Sequence, residues 1–172
     1  NAAARALLLQ AIEDADRTVR ATALDALTDA DMVREQRVAM LDPTAPNPSV
    51  EAILHAVIPF RYVDHTHADA VVTLTNTPDG EARIRALYGE RVLYIPYVMP
   101  GFVLAREVYR LTKDVDWSRV EGMVLLHHGV FSFADDARES YERMIRLVDE
   151  AERSLSEHGA IDAPATGEGA RP

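Results

Sequence analysis

A layered α/β or α+β domain is what this sequence predicts, and three observations carry that expectation. Stretches with apolar residues at helical spacing alternate with short β-rich runs along the chain. Proline and glycine clusters punctuate them, as at Asp42-Pro-Thr-Ala-Pro-Asn-Pro48 and Asn76-Thr-Pro-Asp-Gly80. At 172 residues the chain is long enough to bury one substantial core, and its apolar fraction of 48% is in the ordinary globular range.

Taken in order, residues 2–13 predict a helix from propensity alone, and 14–27 read as helix or loop. Thr28-Asp29-Ala30-Asp31 resembles a capping box that opens a helix to about Met40. Asn47 reads as an N-cap with Pro48 at the first helical position. That helix carries Val50, Ile53, Leu54 and Val57 on one face and stops near Pro59. Arg61 to His65 is expected as a strand, Ala68 to Leu74 as a helix, Glu81 to Tyr88 as a helix ended by Gly89, and Arg91 to Tyr97 as a strand. Pro100-Gly101 opens a helix to about Thr112. Glu121 to His127 and Val130 to Phe133 are expected as strands flanking His128-Gly129. From Asp136 a long helix presents Ala137, Tyr141, Met144, Ile145, Val148, Ala151 and Leu155 as an amphipathic stripe. Residues 159–172 are too poor in apolar residues to fold and read as a tail or linker. The chain begins at Asn1 rather than methionine, so it reads as part of a longer protein.

The net charge of −10 argues against nucleic acid and anionic membrane as partners, because both demand a basic face. The absence of cysteine excludes disulfides, thiolate metal sites and cysteine nucleophiles, so any metal falls to His, Asp or Glu. No apolar run approaches the roughly 20 residues needed to span a bilayer, and no signal peptide is visible. A cytoplasmic location is the expectation.

His65 and His67 are two apart on an expected strand, so both rings project from one face. His127-His128 follows about 60 residues later, and one of that pair could close a three-histidine metal site. Such a site leaves one coordination position open, as in catalytic zinc centres. Asp64 and Asp69 are candidates to orient a metal-bound imidazole. Glu51 stands near a helix start, where a carboxylate commonly serves only the helix dipole; Ser49 there commonly serves as a cap, although a helix start can also bind phosphate. His55 lies one turn beyond Glu51. Tyr88, Tyr94, Tyr97 and Tyr109 are possible proton donors, with core packing the plainer role for each.

The ordered set Pro48-Ser-Val-Glu51 with His55, His65-Thr-His-Ala-Asp69, Pro96-Tyr97 before Pro100-Gly101, Leu125-Leu-His-His-Gly129 and a final long helix with Glu139, Tyr141 and Glu142 resembles the class II aldolase/adducin family. Within it, the wording around residues 42–49 and 64–70 is most similar to the aldolase part of bifunctional rhamnulose-1-phosphate aldolase/alcohol dehydrogenase proteins. The resemblance implies an α/β/α domain over residues 1–158 around a central, mostly antiparallel sheet. It implies Zn2+ held by His65, His67 and His128, Glu51 as catalytic carboxylate and Ser49 as a phosphate contact. It implies cleavage of L-rhamnulose 1-phosphate or a similar ketose 1-phosphate to dihydroxyacetone phosphate and an aldehyde, in a homotetramer, with a dehydrogenase domain fused in the full-length protein. The family's Gly-Asn-x-Ser phosphate loop has no counterpart upstream of Glu51, so the domain is expected to lack that part. Two alternatives share the scaffold: a non-catalytic adducin-like interaction domain, and a sugar-phosphate epimerase or dehydratase.

Overall fold

The computed structural model describes residues 28–160; the expected helix at 2–13, the ambiguous stretch 14–27 and all but the first two residues of the expected tail lie outside them. The described residues fall into two compact units, 28–59 with 98–116 and 60–97 with 117–160.

The first unit is helical, with α1 (Asp29–Val38), α2 (Ala52–Val57) and α5 (Phe102–Thr112). The capping box at Thr28 forms as expected: its hydroxyl accepts from the Asp31 N–H at 3.2 Å, and the Asp31 carboxylate accepts from the Thr28 N–H at 3.2 Å. The start of α5 is capped from a distance, the Phe102 N–H donating to the Asp29 carboxylate at 3.0 Å. Met32 and Phe102 are buried together, with Ile53 and Tyr109 against them. Helix α2 is shorter than the Pro48 start predicts. Its N-cap is Glu51, whose N–H donates to the Ser49 hydroxyl at 3.1 Å. Asn47 instead accepts a hydrogen bond from Arg37, and Val50, outside the helix, is 41% exposed.

The second unit holds the whole sheet: β1 (Tyr62–Thr66), β2 (Val92–Ile95), β3 (Gly122–Leu125) and β4 (Gly129–Ala134), in the order β1-β4-β3-β2. The β1–β4 and β3–β4 pairs are antiparallel and β2–β3 is parallel, so the sheet is mostly antiparallel as expected. Helices α3 (Asp69–Thr75), α4 (Gly80–Tyr88) and α6 (Ala137–Glu157) complete this unit.

Strand alternation divides the sheet into two faces. Val92, Val124 and Val130 face Val71 and Leu74 of α3, Ile84 and Tyr88 of α4, and Met144, Leu147, Ala151 and Leu155 of α6, forming the main core cluster. Helix α6 comes so close to β3 that a Cβ on Gly122 would lie 2.6 Å from Leu147 Cδ1, which explains a glycine in a buried strand. The opposite face carries His65, Phe131, Phe133, Met123 and Leu125 by register. Phe60 stacks on Phe133 at 4.9 Å and Trp117 meets it edge-on at 5.4 Å.

The α6 stripe differs from the expected one. The buried positions are Ser140, Met144, Leu147, Ala151 and Leu155, whereas Tyr141 is 60% and Ile145 51% exposed. The face is rotated because Ser140, a residue that polarity alone would send to solvent, finds polar partners inside: its hydroxyl donates to the half-buried Asp64 at 2.6 Å and its carbonyl accepts from the buried Ser132 hydroxyl at 2.8 Å.

Candidate metal centre

Three imidazoles converge at one end of the sheet. His65 lies in β1 and His67 just beyond it; His128 lies in the turn that joins β3 to β4. The pairing Thr66↔Val130 brings the end of β1 beside the start of β4, and so brings residues some 60 apart in sequence to one place. Ring centroids are 4.8 Å apart for His65–His67, 5.4 Å for His65–His128 and 4.8 Å for His67–His128, with the planes inclined at 73°, 83° and 70°. Nearly perpendicular rings around a common point aim nitrogens inward rather than stacking. One nitrogen from each ring lies within 4.8 Å of the others. Small side-chain adjustments bring such a set to the roughly 3.3 Å separation of tetrahedral ligands at ~2.0–2.1 Å from zinc.

The surroundings fit a cation. His65 stacks on Phe131 at 4.0 Å and its Nδ1–H donates to the Val130 carbonyl at 3.0 Å, which fixes the ring and leaves Nε2 as the nitrogen with a lone pair. Gly129 leaves the space the rings occupy, since a Cβ there would lie 2.9 Å from His67 Cδ2, 3.0 Å from His65 Cε1 and 2.6 Å from the Thr66 carbonyl oxygen. Three neutral nitrogen donors without thiolate suit zinc and other imidazole-binding divalent ions, and leave a coordination position open.

Other expectations resolve differently. His127 and His128 are not on a strand: the His128 N–H donates to the Leu125 carbonyl at 3.1 Å, closing a tight turn in which His127 has φ of 59°. A side chain in that left-handed region costs about 1–3 kcal/mol unless the surroundings hold it. The His127 ring turns outward, donating from Nδ1 to the Asn76 side-chain oxygen at 2.7 Å and meeting Tyr97 edge-on at 5.9 Å. Asp64 does not orient an imidazole. Adjacent strand residues face opposite ways, so Asp64 points to α6 and Ser140 while His65 points to the cluster. A backbone carbonyl, invisible to side-chain reasoning, takes the orienting role instead. Asp69 opens α3 and is exposed.

In the first unit, Glu51 is half-buried at the head of α2, with the Ser49 hydroxyl accepting from its N–H; His55 follows one turn later. Two of the tyrosines are structural. Tyr88 donates to the Leu147 carbonyl at 2.6 Å and Tyr94 to the Gly89 carbonyl at 2.6 Å, and burial pushes both phenols up from their ordinary range.

Similarity to known proteins accords with this geometry. The Class II Aldolase and Adducin N-terminal domain family model matches residues 18–155. The chain is 30% identical over 133 residues to the uncharacterized oxidoreductase YuxG of Bacillus subtilis (strain 168), covering 77% of this chain but 19% of that protein. Among solved structures, the N-terminal class II aldolase domain of a conserved protein from Thermoplasma acidophilum is 38% identical with a TM-score of 0.68, over 81% of this chain and 63% of that one. An aldolase II superfamily protein from Pseudomonas syringae, 20% identical with a TM-score of 0.55 over 69% of this chain and 50% of that one, shares the fold. On this matched span and these strand-end histidines, the chain belongs to the class II aldolase and adducin N-terminal domain family.

Proposed function

We propose that this domain is a zinc-dependent aldolase that cleaves a ketose 1-phosphate, L-rhamnulose 1-phosphate or a close relative, to dihydroxyacetone phosphate and an aldehyde. The observation that carries the reading is the convergence of His65, His67 and His128, with one nitrogen of each within 4.8 Å of the others. These three residues would hold the ion. When bound, it supplies Lewis acidity at a substrate carbonyl oxygen. Glu51 would move the proton at the carbon next to that carbonyl, and Ser49 would contact the phosphate. The Ser49 oxygen already accepts from the Glu51 N–H, and its own hydroxyl proton is available to a phosphate oxygen. The choice of L-rhamnulose 1-phosphate rests on the likeness of residues 42–49 and 64–70 to the aldolase part of bifunctional rhamnulose-1-phosphate aldolase/alcohol dehydrogenase proteins.

The name of the B. subtilis relative supports a companion proposal, that the domain works alongside an oxidoreductase domain in one longer polypeptide. Homotetramer formation and a cytoplasmic location belong to the same reading. Among the described residues no helix is long and apolar enough to cross a membrane.

The test is metal content of the purified protein beside His67→Ala, together with cleavage assays of Glu51→Gln. Stoichiometric zinc in the first, little in the second and a loss of about 10²–10⁴ in turnover for the third are expected. No metal in the parent protein moves the assignment to an interaction domain; metal without aldol cleavage moves it to an epimerase or dehydratase.

A further inference from the structure

The position of His127 is not explained by the metal site alone. Its backbone occupies the left-handed region at the third position of the Leu125–His128 turn, where glycine sits without strain. Its ring is turned away from the cluster, onto Asn76 and Tyr97. Asn76 is itself firmly placed. It is the C-cap of α3, its N–H donating to the Leu74 and Val72 carbonyls, and Val71 and Leu74 of that helix are fully packed in the core.

The two ends of α3 therefore touch the two arms of the site. Its first turn follows closely on His65-Thr66-His67, and its C-cap, Asn76, grips the turn that carries His128. We infer that the His127–Asn76 hydrogen bond is a clasp that presets His128 for the metal, making His127 and Asn76 positioning residues. This rests on the three-histidine metal reading. Leu126 is anchored in the core, its N–H donating to the Ile95 carbonyl at 3.0 Å, so the clasp acts on the second half of the turn. Without the side-chain tie to α3, His127 and His128 are held less firmly and His128 samples orientations in which its nitrogen misses the ion. With it, the ligand is ordered before the ion arrives, and less ordering remains to be done on binding.

The experiment is titration of the metal-free full chain with Co2+, followed by visible absorption, for the parent protein, Asn76→Ala, His127→Gly and Asn76→Asp. Thermal midpoints of the metal-free proteins are measured alongside. Asn76→Ala and His127→Gly are each expected to weaken the Co2+ dissociation constant about tenfold, the lower end of the effect of removing a partner behind a metal ligand. A changed ligand-field band should accompany that loss. Asn76→Asp keeps an acceptor for the imidazole N–H and should restore both. His127→Gly is the decisive variant, because glycine relaxes the turn: the metal-free midpoint should hold while affinity falls, a pattern that general destabilisation does not give. Equal Co2+ affinity and spectra in all four proteins would overturn the clasp and leave the metal centre standing. A parent protein that takes up no Co2+ would overturn the metal reading and the clasp with it.

Discussion

Gly129 and His67 face each other across the end of the sheet so closely that a Cβ on the first would lie 2.9 Å from Cδ2 of the second. The same methyl would meet the Thr66 carbonyl oxygen at 2.6 Å, and backbone cannot swing aside as a side chain can. Gly129→Ala is therefore expected to force β1 and β4 apart where their pairing assembles the histidines. Overpacking of this kind costs about 1–3 kcal/mol. Calorimetry should show a lowered midpoint and metal analysis a reduced uptake of divalent ion. Alanine at 129 with parent-like stability and full metal would show that the cradle is not needed.

The sequence alone reached the His65/His67 pair because period two on a strand is a strong rule. Strand periodicity left the choice between His127 and His128 open, because that choice depends on a turn with a left-handed residue, and only the family resemblance pointed to His128. The element order and the mostly antiparallel sheet also came through, the latter by family resemblance. The partners behind the site did not. Val130 orients His65 through its carbonyl, and every residue has one, so no side-chain pattern announces it. Asp64 looked like a helper by adjacency and faces the other way for the same geometric reason that pairs His65 with His67.

Helix α6 shows the same limit in its packing. Tyr141 and Ile145 fit a helical apolar stripe, yet the buried line runs through Ser140, Met144, Leu147, Ala151 and Leu155. Leu147→Ala should destabilise by about 2–5 kcal/mol, the usual range for a fully buried leucine. Tyr141→Ala and Ile145→Ala should stay within about 0.5 kcal/mol of the parent, as surface changes do. Urea denaturation of the three variants decides between the two faces. Large losses at 141 and 145 with little at 147 would restore the stripe expected from apolar spacing.

The polar seam under β1 is a separate test of burial. Ser140 donates to Asp64 at 2.6 Å and is fully buried. Ser140→Ala removes the donor and leaves a carboxylate oxygen facing a methyl group, which is expected to cost about 1–3 kcal/mol. Uptake of divalent metal should be unchanged, because Asp64 and His65 lie on opposite faces. Loss of metal without loss of stability in this variant would contradict the division of the sheet into a packing face and a ligand face.

Alkaline pH probes the main core. The Tyr88 phenol is buried between α4 and α6, and desolvation first, then the nearby Glu150 charge, raises its pKa above the ordinary 10.0. Raised in the folded state, this group contributes its full stabilisation below the unfolded value, near pH 10. Above that pH the unfolded chain releases the proton and the folded chain holds it, so unfolding becomes progressively easier as pH rises towards the folded value. Tyr94, raised chiefly by burial, acts in the same direction. Tyr88→Phe should lose about 1 kcal/mol at neutral pH with the hydrogen bond to Leu147. It should then show a shallower decline than the parent above pH 10, because the principal phenol driving it is gone. Parallel stability curves for the two proteins between pH 8 and about 11, the range in which an ordinary tyrosine titrates, would mean that Tyr88 ionises as freely inside the fold as outside it.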